Sequence, residues 1–217
     1  MLFRHELAPF LPMSEDRIFV VAGQNSNGKA EMLLSNGTWE RKADCPGGGL
    51  AQSTLVEAQD HVYSLGGVWQ TIKKSVKLVH RYNTENDTWT AMDPLPVAAH
   101  QLTCVNLDYR NRPSLFCARG TNQKNANVQN KVLLYDVAND TWSLLPDKTN
   151  TATERSVARV VGNMIYFVSA LGPSTFFEHY DLDSESWGGD QNVTNSNGAV
   201  RRTKLVALSY DFLVIGK

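Results

Sequence analysis

Five histidines, three cysteines and a scatter of arginines are the residues here whose chemistry could be catalytic or metal-binding. His5, His61, His80, His100 and His179 show none of the close pairings that zinc or copper sites use. Satisfied or surface histidines are therefore the expected reading. Cys45, Cys104 and Cys117 are too few and too scattered for a disulfide framework or a zinc site. The expectation is reduced, buried thiols in a cytosolic protein. No catalytic residue, metal site or cofactor is expected from these side chains.

Composition narrows the classes further. The chain has 217 residues, 42% of them hydrophobic and 20% charged, with a net charge of -1. That balance argues against broad attraction to nucleic acid or to an anionic membrane. No apolar run approaches the roughly 20 residues of a membrane span. The opening MLFRHELAPFLPM lacks the basic start and unbroken apolar core of a secretory signal. A cytoplasmic location is expected.

The organisation is repetitive. Trp39, Trp89, Trp142 and Trp187 recur at gaps of 50, 53 and 45 residues. Tyr82, Tyr135 and Tyr180 each stand seven residues before a tryptophan, in YNTENDTW, YDVANDTW and YDLDSESW. A fourth copy, MLLSNGTW, has Met32 in the tyrosine's place. Short apolar runs ending in small residues precede them: RIFVVAG (17–23), HVYSLGG (61–67), SLFCARG (114–120), MIYFVSA (164–170) and, last, DFLVIGK (211–217). Their length and β-branched content read as buried strands. Strands at 50–58, 100–107, 155–161 and 202–208 precede most of these, joined by turns such as Gln59-Asp60 and Gly162-Asn163.

Each unit is thus four short antiparallel strands, A to D. B ends in small residues, C carries the tyrosine and D starts at the tryptophan. One such sheet cannot bury both faces and must pack on its neighbours, and radial repetition of four-stranded sheets is a β-propeller. The units run approximately 17–49, 50–98, 99–153, 154–200 and a partial 201–217, as a single domain over 1–217. Residues 1–16 read as a remnant outer strand or linker, which leaves the first unit without an inner strand.

The Gly-Gly, Tyr-Asp and Trp spacing resembles the kelch repeat, over about Arg17 to Lys217. The second unit carries the full set in Gly66, Gly67, Tyr82 and Trp89. Elsewhere the diglycine has become Ala22-Gly23, Arg119-Gly120, Ser169-Ala170 and Gly216-Lys217. The fold class implied is all-β, a kelch-type propeller of four blades plus a partial fifth. Two readings stand: a fragment or splice product of a longer protein, and a five-bladed ring closed by pairing the N-terminal segment with the last two strands.

The resemblance implies a ligand face built from B–C and D–A loops. Those loops hold Asn25, Asn27, Trp69, Gln70, Asn122, Gln123 and Ser174, which suit peptide recognition by polar contacts with one aromatic anchor. For Trp69, packing against a neighbouring blade is the competing reading. The family also places arginine at the start of strand A, here Arg155 and Arg201 or Arg202. Such a cluster suits an acidic peptide; solvated or structural arginines are the alternative. The expected function is a non-enzymatic protein-binding module. By resemblance to the BTB-kelch class, it would present substrates to a cullin-type ubiquitin ligase through a BTB region not present in these residues. A sugar mutarotase or oxidase and a cytoskeletal scaffold are the alternatives. Asn36, Asn86, Asn139 and Asn192 head Asn-X-Thr sequons, but three lie in the C–D turn, which favours Asn and Thr for backbone reasons.

Overall fold

The computed structural model describes residues 9–13, 16–21, 23, 27–48, 50–69, 71–122, 130–148, 156–171, 174–194, 203–208 and 211–216. Strands dominate, and no α-helix occurs among these residues. Four sheets have four antiparallel strands each. The first is β1 (Phe10–Met13), β2 (Arg17–Val21), β3 (Ala30–Leu33) and β4 (Trp39–Lys42). The second is β6 (Thr54–Ala58), β7 (His61–Leu65), β10 (Val79–Asn83) and β11 (Thr88–Ala91). The third is β12 (Thr103–Tyr109), β13 (Arg112–Ala118), β14 (Val132–Asp136) and β15 (Thr141–Leu145). The fourth is β16 (Ser156–Val161), β17 (Met164–Leu171), β18 (Ser174–Asp181) and β19 (Ser186–Thr194). A two-stranded sheet, β20 (Thr203–Leu208) with β21 (Asp211–Gly216), follows. These are the blades of a β-propeller. The inner strands pack in chain order, β1 on β6, β6 on β12, β12 on β16 and β16 on β20.

The first blade corrects one expectation. Phe10–Met13 is its inner strand, paired with β2 from Phe10↔Val20 to Met13↔Arg17. Pro9 and Pro12 hide this strand in the sequence. An inner strand is a sheet edge, where the missing N–H of a proline leaves no ladder bond broken.

The core lies in layers between successive blades. Phe19, Met32, Val62 and Tyr82 fill the first layer. Tyr63, Leu95, Leu115, Leu133 and Tyr135 fill the second, and Phe116, Ile165, Phe167 and Tyr180 the third. Each repeat tyrosine packs on a strand-B aromatic of the preceding blade, with ring centroids 4.7 Å apart for Tyr82–Phe19, 5.9 Å for Tyr135–Tyr63 and 5.0 Å for Tyr180–Phe116. Inner strands are also joined directly: Thr54 Oγ1 donates to the Leu102 carbonyl at 2.6 Å, and Thr103 Oγ1 to the Ser156 carbonyl at 3.0 Å.

The turn between C and D supplies a clasp. Tyr82 donates its hydroxyl hydrogen to Asp87 at 2.6 Å, and the same oxygen accepts the Ala43 N–H of the preceding blade at 2.8 Å. Trp89 Nε1 then donates to the Ala43 carbonyl at 2.9 Å. The next seam repeats this with Tyr135, Asp140, Trp142 and the backbone of Asp93. The aspartate and tryptophan tips are satisfied on one stretch of neighbouring backbone, and the tyrosine tip on the aspartate. Asp87 and Asp140 have φ of 55° and 53°, a left-handed turn that Asp tolerates.

The third seam departs from this pattern. The residue four after Trp142 is Pro146, where Ala43 and Asp93 stand after Trp39 and Trp89. Proline has no N–H to offer. The aspartate position holds Glu185, which instead accepts from the Tyr109 hydroxyl and, at 2.7 Å, from Arg110. The Tyr180 hydroxyl and the Trp187 indole N–H, both closed off from solvent, have no hydrogen-bond partner among the described residues.

The other end of that seam is ionic. Cys45, Leu95 and Lys148 each follow their blade's tryptophan by six residues, and all are buried. Lys148 and Arg119 both pair with Glu178, and all three lie under 5% exposed. Arg119 Nη1 also donates to Ser169 Oγ at 3.0 Å, and both cations lie over the Trp187 ring. Arg119 occupies the worn diglycine position with φ of 61°, where Gly66 has the same φ. A Cβ on Gly66 would stand 2.3 Å from the Ala99 carbonyl oxygen, so only glycine fits there.

The cysteine expectation also changes. Cys104 and Cys117 form a disulfide across the β12–β13 hairpin, where they are register partners. Cys45 remains a buried thiol, pushed up to about 12 by burial.

Candidate functional site

Among the described residues, a loop-built region and the hollow between inner strands could hold a ligand. The first lies where strands B lead into strands C. In the second blade the B–C connection folds into a small sheet: β5 (Leu50–Ala51), β8 (Val68–Trp69) and β9 (Lys74–Ser75) pair in the order β5-β8-β9. The bridge Val76↔Ala99 ties it to the next loop, and His100↔Thr121 continues the chain of bridges to the third blade. Below it, Ser75 Oγ and His100 Nδ1 share a hydrogen bond at 2.9 Å, both groups buried. Buried so, this pair braces the loops and is closed to a substrate.

The tip of that loop is exposed. Thr71, Ile72, Lys73 and Lys74 all face solvent, and Ile72 is 62% exposed. Trp69 is half-buried, with its indole N–H donated to the Gly47 carbonyl at 3.2 Å and Lys74 Nζ lying 5.9 Å from its ring centroid. It fastens the B–C loop to the D–A loop and supports the tip. Asn27 is exposed in a turn with φ of 53°, beside Gly28, whose carbonyl accepts the Cys45 N–H. Asn122 donates to the Ala98 carbonyl at 2.7 Å. Ser174 lies in β18, paired with Leu171 and Thr194, because the hairpin arms extend through the stretch expected to be a polar loop. Asn25, Gln70, Gln123, Arg155, Arg201 and Arg202 lie outside the described residues. Sequence reading missed Ile72, Lys73 and Lys74, although an isoleucine before two lysines in a polar loop was visible.

The second region is the channel between inner strands. β1, β6, β12 and β16 line an open hollow of about 490 Å³. Its lining mixes Leu11, Leu55 and Val160 with Glu57, Asn106 and Arg159, and is more polar than apolar. Arg159 is exposed. Cys104 of the disulfide borders the same space.

The described histidines do not gather, and His5 lies outside the described residues. His61 Nδ1 lies 2.6 Å from the Gln59 carbonyl, His80 sits edge-on to Trp89, and His179 packs against Gly188 and Gly189. Burial lowers the pKa of His80. Among the described residues no group of three His, Cys, Asp or Glu side chains could hold a metal ion. No described helix is long and apolar enough to cross a membrane, which says nothing of strand-built spans.

The sheets together define a β-propeller with four-stranded blades. The comparisons with known proteins agree at the level of fold. The solved structure of YjhT superposes with a TM-score of 0.70 over 92% of this chain and 69% of that one, at 14% identity. Kelch-like protein terF of Aspergillus terreus (strain NIH 2624 / FGSC A1156) is 25% identical over 145 residues, 59% of this chain and 31% of that protein. The matched part is thus about a third of that relative's length. No protein-family model matches the chain.

Proposed function

We propose that the chain is a kelch-type propeller that binds a protein or peptide carrying acidic groups on the loop face of its second blade. The observation that carries this is the exposed Ile72, set beside Lys73 and Lys74 on a loop held by its own small sheet. An apolar knob flanked by cations suits an amphipathic, acidic segment. The distant likeness to a kelch-like protein supports the reading. A photo-crosslinking residue at Ile72 tests it. A discrete protein adduct, lost on Lys73→Glu with Lys74→Glu and absent from a probe at Leu144 on the outer edge, is the expected result. Equal labelling from both positions would remove the basis for the reading.

Substrate presentation to a cullin-type ligase is a finer version of the same proposal, since a segment outside these residues would have to recruit the ligase. A carbohydrate-active enzyme is the second reading, favoured by the Glu57 and Arg159 side chains at the channel. Cytoplasmic location is likewise a proposal, and the Cys104–Cys117 bond pulls against it, because disulfides persist mainly in oxidising compartments.

A further inference from the structure

We infer that Cys104 is a thiol-exchange site, where a small hydrophilic thiol enters from the hollow, opens the Cys104–Cys117 bond and stays on Cys104 as a mixed disulfide. The two sulfurs stand in different surroundings. Cys104 is half-buried and borders the hollow. Cys117 is 0% exposed and belongs to a cluster with Leu65, Leu95, Leu102 and Leu115. Exchange needs a thiolate to reach one of the two sulfurs, and access decides which. Of the two, Cys104 is the one that lines the opening.

The incoming thiolate bonds to the Cys104 sulfur, the Cys104–Cys117 bond breaks, and its electron pair leaves with Cys117. The proton given up by the incoming thiol passes through water to Cys117, so the step needs no other oxidant or reductant. A charge kept on Cys117 would be costly among apolar side chains. The neutral thiol is a weak nucleophile, so the mixed disulfide on Cys104 closes again slowly. The hairpin itself does not depend on the bond. β12 and β13 pair from Thr103↔Ala118 to Tyr109↔Arg112. Arg110 and Asn111 turn with φ of 50° and 61°, the two left-handed residues that a two-residue hairpin loop uses. The bond can therefore open in the folded protein. The hollow's volume of about 490 Å³ is within the usual range for small ligands, and its polar lining suits a charged tripeptide thiol such as glutathione. Such a bond also fits a reducing compartment, where disulfides are usually transient. This site is separate from the loop tip at Ile72.

Peptide mass spectrometry of the folded, oxidised protein after incubation with glutathione tests the inference. Glutathione should be found on Cys104, and Cys117 should react with an alkylating agent only after unfolding, as buried Cys45 should. Far-UV circular dichroism should be unchanged by the exchange. In a second arm, glutathione disulfide should modify the free Cys104 of Cys117→Ser roughly tenfold faster, or more, than the free Cys117 of Cys104→Ser. An adduct on Cys117, exchange seen only in denaturant, loss of the fold on exchange, or equal rates in the two variants would each overturn the proposal. If a variant fails to fold, the position of the adduct on the unaltered protein still decides.

Discussion

Tyr135 donates its hydroxyl hydrogen to Asp140 across 2.5 Å, and that single contact organises a whole seam. The carboxylate oxygen that accepts it also takes the Asp93 N–H from the preceding blade. Burial, followed by the neighbouring Asp140 carboxylate, raises the Tyr135 pKa, so the phenol stays protonated and remains the donor. The equivalent tyrosine of the fourth blade, Tyr180, has lost this arrangement.

Tyrosine-to-phenylalanine exchanges should therefore behave differently along the chain. Tyr135→Phe removes a satisfied hydroxyl from Asp140 and should cost about 1 kcal/mol. Tyr180→Phe removes a buried hydroxyl that has no partner among the described residues, and should be neutral or stabilising. Urea midpoints of the two variants check this. A larger loss in Tyr180→Phe would contradict the third seam as described.

The missing clasp should be restorable. Pro146→Ala supplies the absent N–H, and Glu185→Asp shortens the acid to the length used at Asp87 and Asp140. The pair together should stabilise the fold more than the sum of the single changes, by roughly 1 kcal/mol in a double-mutant cycle. Additive effects would show that the backbone at 146 is too far from the turn.

The ionic end of the third seam makes its own prediction. Glu178→Gln leaves Arg119 and Lys148 buried without their shared carboxylate and should cost about 3–5 kcal/mol. Lys148→Leu leaves a one-to-one pair and copies Leu95 at the equivalent place in the second blade. It should be neutral or stabilising by thermal melting.

Acid should loosen the first seam. Burial works against ionisation of Asp87, but hydrogen bonds from Ala43 and Tyr82, with Lys42 and Arg41 nearby, outweigh it and hold its pKa below 3.8. The folded state then binds fewer protons than the unfolded one in that range, so stability rises with pH. The contribution is complete well above pH 3.8 and is lost as pH falls through the folded pKa. Asp87→Asn should flatten the stability profile below about pH 4 relative to the unaltered protein.

Thiol counting checks the hairpin disulfide. Unfolded but unreduced protein should titrate one thiol, Cys45, and reduced protein three. Three thiols before reduction would restore the reduced state first expected from the sequence.

Much of this architecture was legible because the repeat writes itself in large, infrequent residues. Tyr and Trp at a fixed spacing marked strands C and D, and the small-residue ends marked strand B. The role of Asp87 and Asp140 was not legible, since the backbone N–H groups they accept lie 44 and 47 residues earlier. The disulfide was within reach: a hairpin turning at Arg110 and Asn111 places Cys104 opposite Cys117 by counting outwards. β1 was missed because its prolines look like loop. At the candidate site, Trp69 stood out by its type. Its burial depends on a D–A loop that only the fold brings beside it, and the exposure of Ile72 follows from the same fold.

The small sheet β5-β8-β9 has a consequence for association. Fixing one residue's backbone costs about 1–2 kcal/mol in conformational entropy. For the Val68–Trp69 and Lys74–Ser75 arms that loss is already met when the propeller folds. If a partner docks on Ile72 as proposed, it would meet these arms already ordered, so little of its contact energy would go to ordering them.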